Sequence, residues 1–508
     1  MQFFSYVLKI LLIAFLPLFA YGTGFQVTDS TTIDDIERFL GTLDNPSIEA
    51  LIENLDPEFR SNFVLMHNSK SIQSATHENP RVIMHSNLGK VLFAFNGHAK
   101  QTGGNKIEMI FFDGETKKFN AHEIEFKSGG IYQVNRNPKS CVNCHGSDSN
   151  LRPLWNHYNS WPGAYGSNDD ELNNSYSKDS VIEFQQLSNF YQTYLTHPRY
   201  KYLVNLNDHL NLTSYRTERK SNSILTELIM GLNYERMITL FKSHPDYKKL
   251  KYSLITLFSC HQYKDFINSF TDISFKNAIE SYVSKEETAL PKFYGLEEFQ
   301  LNRSIDFYMN VLGFDSTLMQ TNVNDVLISN NFSYFPENVY YFSAFRGGSS
   351  QFIFNNIFAS QDSDIKNFVI ANDSTRSEVI FEDGLLLLPT TQLNCDLLAS
   401  RSQQELKDYN FNPIDVKKMN SQINIQKGHR VIVSSCLKCH MDNEYAGFSF
   451  QEQDLKEAFK TKQNLINIFK NRLTSNEKAK RMPVAADPLN LKELNFLLDY
   501  LRSFIPKK

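Results

Sequence analysis

Two five-residue runs carry the side chains best suited to chemistry. Cys141, Cys144 and His145 form one C-x-x-C-H pattern, and Cys436, Cys439 and His440 repeat it 295 residues later. On a helix, thiols three residues apart lie about one turn apart on a shared face. Both can then form thioether bonds to vinyl groups on one edge of a porphyrin, while the adjacent imidazole reaches the iron as proximal ligand. At this chain's own frequencies of Cys and His, chance gives ~0.002 occurrences of the pattern, against the two present. The pattern is the attachment signature of c-type haem. The expectation is two covalently bound haem c groups, one on Cys141, Cys144 and His145, the other on Cys436, Cys439 and His440.

Two other chemistries use the same thiols. Each C-x-x-C could be a redox dithiol, or the two pairs could join in a four-cysteine zinc site. Neither explains a histidine in the same place twice. The remaining thiols, Cys260 and Cys395, are expected to form a disulfide, with two buried free cysteines as the alternative. Cys260-His261 lacks the first cysteine of the motif, since Leu257 stands there.

The chain opens MQFFSYVLKILLIAFLPLFAYGTGF, with Lys9 as its only early charge and an apolar run from Ile10 to Ala20. Ala20-Tyr21-Gly22 is a small-x-small cleavage site, so the segment reads as a secretory signal peptide cut near Gly22. Eleven apolar residues fall short of the roughly 20 needed to span a bilayer. The expected location is the periplasm, without stable membrane insertion.

About 486 residues remain after cleavage, room for several domains, and 41 Phe and 24 Tyr supply apolar mass for their cores. Charge is unevenly placed. From Asp415 to Lys508 there are 17 Lys or Arg against 10 Asp or Glu, a net of +7. Because the mature chain carries −5 (the full −4 less Lys9), the part before Asp415 carries −12. An acidic, exported body excludes nucleic acid as the natural partner.

Four elements must position the motifs: residues 1–22 as signal peptide, 23–135 as a helix plus an antiparallel β-rich unit, 136–410 as a mainly helical region around the first motif, and 415–508 as an all-α module around the second. The fold class is therefore α+β. Residues 31–60 show helical apolar spacing through Ile36, Phe39, Leu40, Ile48, Leu51 and Ile52. From Pro80, "RVIMHS", "KVLFAFNG", "KIEMIFF" and "FNAHEIEF" are short apolar runs broken by turn signals such as Asp113-Gly114, which predict hairpin-linked strands. Residues 179–319 read as mostly helical, and 330–400 as mixed strand-like and irregular pieces, including "NVYYFSAFRGGSSQFIF" and "EVIFEDGLLLLP".

Residues from about 420 resemble a class I cytochrome c domain in the order of their parts: "GHRVIVSSCLKCH", a loop and helices, "RMPV", and a terminal helix. Met482, 42 residues after His440 and followed by Pro483, stands where that family places the thioether ligand on the far side of the haem. The resemblance implies His–Met ligation, a raised potential and no open iron site. Asn490 and Glu493 can cap the last helix, and Leu491, Leu494, Leu498, Leu501 and Ile505 form one apolar stripe. In the resembled fold Lys438, Lys478, Lys480 and Arg481 ring the exposed haem edge, which implies docking of an acidic redox partner protein there.

The first motif is followed by "GSDSNLRPLWNHYNSWPGAYG", where Trp155, Tyr158 and Trp161 at three-residue spacing could wall a porphyrin and Arg152 could pair with a propionate. The equally simple alternative is an aromatic core cluster. His157 is the nearest candidate sixth ligand, with Met230, Met237, Met309, Met319 or an open position as the others. Together these features favour a periplasmic dihaem c-type cytochrome that carries electrons. The alternatives are a dihaem peroxidase or oxidase with the first haem catalytic, and a haem-based sensor that uses the β-rich front half.

Overall fold

The computed structural model describes residues 24–69, 71, 73–145, 151, 153, 164–165, 178–204, 222–259, 277, 357–371, 380–382, 385–387, 395–407, 409, 436, 449–450, 452–461, 464–475, 489 and 491–505. The signal segment, the Trp155–Trp161 run, Cys260, and the "GHRVIVSSCLKCH" helix apart from Cys436 lie outside the described residues.

Residues 31–60 form three short helices, not one long one: α1 (Ile33–Leu40), α2 (Ile48–Asn54) and α3 (Pro57–Ser61). Each is started by a side-chain cap. Thr32 and Asp35 make a reciprocal capping box, the Ser47 hydroxyl accepts from Ala50 N–H, and Asp56 accepts from Phe59 N–H just before Pro57. The periodicity was right, but the caps cut it into pieces.

Six strands follow in sequence order as one antiparallel sheet: β1 (Phe63–Met66), β2 (Arg81–His85), β3 (Val91–Phe95), β4 (Lys106–Asp113), β5 (Lys118–Lys127) and β6 (Ile131–Arg136). The expected strands β2 to β5 are all present, and β1 and β6 extend the sheet at both edges. Asp113 does start a turn, through a device different from a two-residue Asp-Gly turn. Its carboxylate accepts from Glu115 N–H, Thr116 N–H and the Thr116 hydroxyl, and Lys117 takes the left-handed conformation (φ 54°). The β5–β6 turn instead uses Gly129 and Gly130 at φ 78° and 73°, a backbone shape that glycine adopts without strain.

Both faces of the sheet are covered. Phe63, Leu65, Val82, Met84, Phe93, Phe95, Ile107 and Ile124 pack against α1 to α3 and against Leu187, Phe190 and Tyr191 of α5 (Lys178–Tyr191). The opposite face presents Val64, Met66, Ile83, Leu92, Ala94, Ile110, Phe112, Phe119 and Ala121 to α4 (Lys139–His145) and α6 (Asn222–Ser243). This second face carries the first motif.

Beyond the sheet come α7 (Tyr247–Ser259), α8 (Ser363–Ala371), the hairpin β7 (Ile380–Glu382) and β8 (Leu385–Leu387), and α9 (Cys395–Lys407). The hairpin matches "EVIFEDGLLLLP". α8 falls where only strand-like and irregular chain was expected, and its burial of Ile365 and Phe368 is what stabilises so short a helix. The last part holds α10 (Glu452–Thr461), α11 (Leu465–Thr474) and α12 (Leu491–Arg502) around a separate cluster of Cys436, Phe450, Leu455, Phe459, Leu465, Leu473, Leu497, Tyr500 and Leu501. The architecture is α+β. The stripe expected on α12 needs correction at both ends: Leu491 is 74% and Ile505 47% exposed, because both overhang the cluster, while Leu497 is fully buried.

Candidate functional site

The first motif is set on the sheet by a local hook. Asn137 adopts the left-handed conformation (φ 44°), which asparagine tolerates better than most residues. Its N–H donates to Ala121 O at 2.7 Å, and its side-chain Oδ1 accepts from Ala121 N–H at 2.9 Å. These two bonds fold the chain leaving β6 back onto β5. Pro138 then opens α4, its carbonyl accepting from the N–H groups of Cys141 and Val142 at 2.9 and 3.1 Å. Proline suits this position because the first helical turn needs no N–H from it.

Within α4, Cys141, Cys144 and His145 stand at i, i+3 and i+4 of one helical turn. That places all three positions on one face of the helix. Cys141 and Val142 pack, half-buried, against Phe112, Phe119, Ala121, Leu151 and Leu232, so α4 rests on an apolar wall built from β4, β5 and α6. Three such positions on one helical turn, with Cys141 beside a dry wall, fit covalent attachment of a porphyrin.

Next to this wall lies a buried ion pair. Arg81 on β2 reaches across β3 to Glu108 on β4, Nη2 donating to Oε2 at 2.5 Å, while its Nε donates to Gln73 Oε1 at 2.9 Å. Burial pushes the Arg81 guanidinium down and the Glu108 carboxyl up, each against the pull of its partner. Cys141 lies near enough to act on the charge of Arg81. A second pair on the same face, Lys106 to Glu123 at 3.0 Å, is braced by Asn135 at 3.1 Å. A fixed charge pair thus lies on the same face of the sheet as the attachment turn, in surroundings where charges interact strongly.

Described residues after the motif touch this face at two points. Leu151 packs at the Phe112–Phe119 end, and Ala164 bridges Met66 at the β1 end, with Tyr165 N–H donating to Leu65 O at 3.1 Å. Tyr165 there joins a polar cluster that sequence reasoning missed. Its hydroxyl meets His77 Nδ1 at 3.0 Å, His77 stacks on His67 at 4.2 Å, and His67 Nε2 meets Glu183 Oε1 of α5 at 3.1 Å. Burial and the neighbouring His67 hold His77 below the usual histidine range, and burial holds the Tyr165 hydroxyl well above the usual tyrosine range. No spacing rule links residues 67, 77, 165 and 183; only the closure of the sheet edge brings them together.

At the second motif, Cys436 is buried in the same cluster as Leu497, Tyr500 and Leu501 of α12. Cys439, His440, Met482, Lys438, Lys478, Lys480 and Arg481 lie outside the described residues, as do His157, Met309 and Met319. Met237 is buried on α6, and Cys395 begins α9. Among the described residues, no group of three or more His, Cys, Asp or Glu side chains is arranged to hold a metal ion, and no helix is long and apolar enough to cross a membrane. No protein-family model, curated protein or solved structure matches this chain.

Proposed function

We propose that this chain is an exported dihaem c-type cytochrome that binds haem covalently through Cys141 and Cys144 and through Cys436 and Cys439, and transfers electrons. The observation that carries this reading is the single helical face shared by Cys141, Cys144 and His145, seated on an apolar wall. Haem bound there supplies a one-electron iron couple. The chain's own residues do the rest. The four cysteines anchor the two porphyrins, His145 and His440 each give one imidazole nitrogen, and Met482 gives a thioether at the second site. Phe112, Phe119 and Leu232 exclude water beside Cys141, and a dry surround disfavours the more highly charged ferric state. The basic carboxy-terminal region, with a net of +7, attracts an acidic redox partner protein.

A second reading, a sensor or peroxidase-type enzyme centred on the first haem, is favoured by one feature. The first motif is built into a six-stranded sheet far larger than an electron carrier needs. Spectra of the ferric and ferrous protein, with and without carbon monoxide or peroxide, decide between them. Electron transfer predicts no carbon monoxide complex at either haem, while a complex at the first haem alone would move the assignment to the second reading.

A further inference from the structure

The face of the sheet that carries α4 is crossed by one stripe of α6. Leu225, Ile229, Leu232, Asn233 and Arg236 follow one another at i, i+4, i+7, i+8 and i+11. Leu225 and Ile229 pack on the β1–β3 end, and Leu232 packs in the same cluster as Cys141 and Val142. The stripe therefore turns polar just past the residue that joins the Cys141 cluster. Asn233 is only 1% exposed and Arg236 only 3%. Neither Nδ2 nor Oδ1 of Asn233 has a hydrogen-bond partner among the described residues.

A buried amide with both ends unpaired is costly and rare in folded proteins. Two other unpaired buried atoms lie elsewhere: His122 Nδ1 faces the opposite side of the sheet beside Phe111, and Arg60, whose Nε is unpaired, reaches the Tyr202 carbonyl. Arg81, on the same face as the motif, already has Glu108 and Gln73. Asn233, next in sequence to Leu232 of the Cys141 cluster, is a buried polar group with no partner among the described residues. Arg236, one turn along the same stripe, adds a positive charge. An amide donor and a guanidinium side by side suit a carboxylate.

We propose that Asn233 is a binding residue for the first haem, its Nδ2–H donating to a haem propionate in the field of Arg236. This rests on haem attachment at Cys141 and Cys144. It assigns to α6, about 90 residues beyond the motif, a direct part in holding the group and setting its potential. A propionate that loses its donor is a less compensated anion, which favours the ferric state.

The test uses the full haem-loaded chain and Asn233→Leu, which keeps the branched shape and removes the amide, with Asn233→Asp as the second variant. Mass spectrometry first counts covalent haem at the two motifs, and the midpoint potential and propionate vibrations of the first haem are then recorded. Both variants should retain two haems, with the first haem's reduction equilibrium moved at least threefold toward ferric and its propionate bands shifted. An unchanged potential and unchanged propionate bands in either folded variant would overturn the assignment and make Asn233 an unsatisfied core residue. Absence of haem at Cys141 and Cys144 in the wild type would overturn the reading beneath it as well, and the mass count tells these failures apart.

Discussion

Arg81 is the side chain on which the seat of the first motif most depends. Its side chain is 10% exposed and that of Glu108 20%, so the pair lies largely out of water. Arg81→Met keeps much of the length and apolar stem but removes the charge, leaving Glu108 buried with Lys106 and the like-charged Glu123 as neighbours. Removing one partner of a buried pair costs about 3–5 kcal/mol, because the other charge stays desolvated. Glu108 keeps some contact with solvent and can take up a proton, so the lower end, about 3 kcal/mol, is expected. The sign with pH follows. Burial already raises the Glu108 carboxyl, and without Arg81 it rises further. The variant is then hurt most where Glu108 must be ionised, and the loss shrinks on acidification as Glu108 becomes neutral. A chain of this length need not unfold in one step, so the assay is hydrogen exchange of the β2, β3 and β4 amides in wild type, Arg81→Met, Glu108→Gln and the double variant. Arg81→Met should lose about a hundredfold in protection at neutral pH, less in mild acid, and the double variant should recover part of it. Protection within about 0.5 kcal/mol of wild type at both pH values would refute the idea that the pair holds this face together.

Other consequences are as direct. Met482→Ala should lower the potential of the second haem and open it to exogenous ligands, and an unchanged spectrum and potential would remove Met482 from the ligand set. Reversing Lys478 and Lys480 to Glu should slow reduction by an acidic partner at low salt and flatten the salt dependence. Rates that ignore ionic strength in both proteins would place docking elsewhere. Glu405 on α9 accepts from Tyr252 N–H, Ser253 N–H and the Ser253 hydroxyl at 3.1, 2.7 and 2.9 Å, yet burial pushes its carboxyl up to about 7. The folded chain thus binds this proton more tightly than the unfolded one, so the α7–α9 contact is most stable in mild acid. It should weaken, by at most about 3 kcal/mol, as pH rises toward 7, and Glu405→Gln should flatten that slope.

The central strands were legible because turn residues fence them. Asp113 and the Gly129-Gly130 pair stop the chain where side-chain alternation changes direction. β1 was not legible, since Phe63–Met66 is four apolar residues buried on both faces and shows no alternation to read. Caps divided the 31–60 helix, although Ser47 and Asp56-Pro57 stood in the sequence as stop-and-start signals. The first motif was fully legible as a helical face, because its spacing is local. Its seat was not. Arg81 and Glu108 meet only once the sheet has formed, Leu232 is added by α6, and α4 joins this face where Asn137 folds it onto β5. The His67–His77–Tyr165–Glu183 cluster was hidden for the same reason, since each member is unremarkable alone.

Covalent haem on both motifs is the central claim, and intact-protein mass spectrometry of the exported chain after denaturation measures it directly. The account predicts two haem additions, falling to one in Cys141→Ser/Cys144→Ser and to one in Cys436→Ser/Cys439→Ser. A wild-type mass with no addition, or a single addition that survives both double variants, would contradict it.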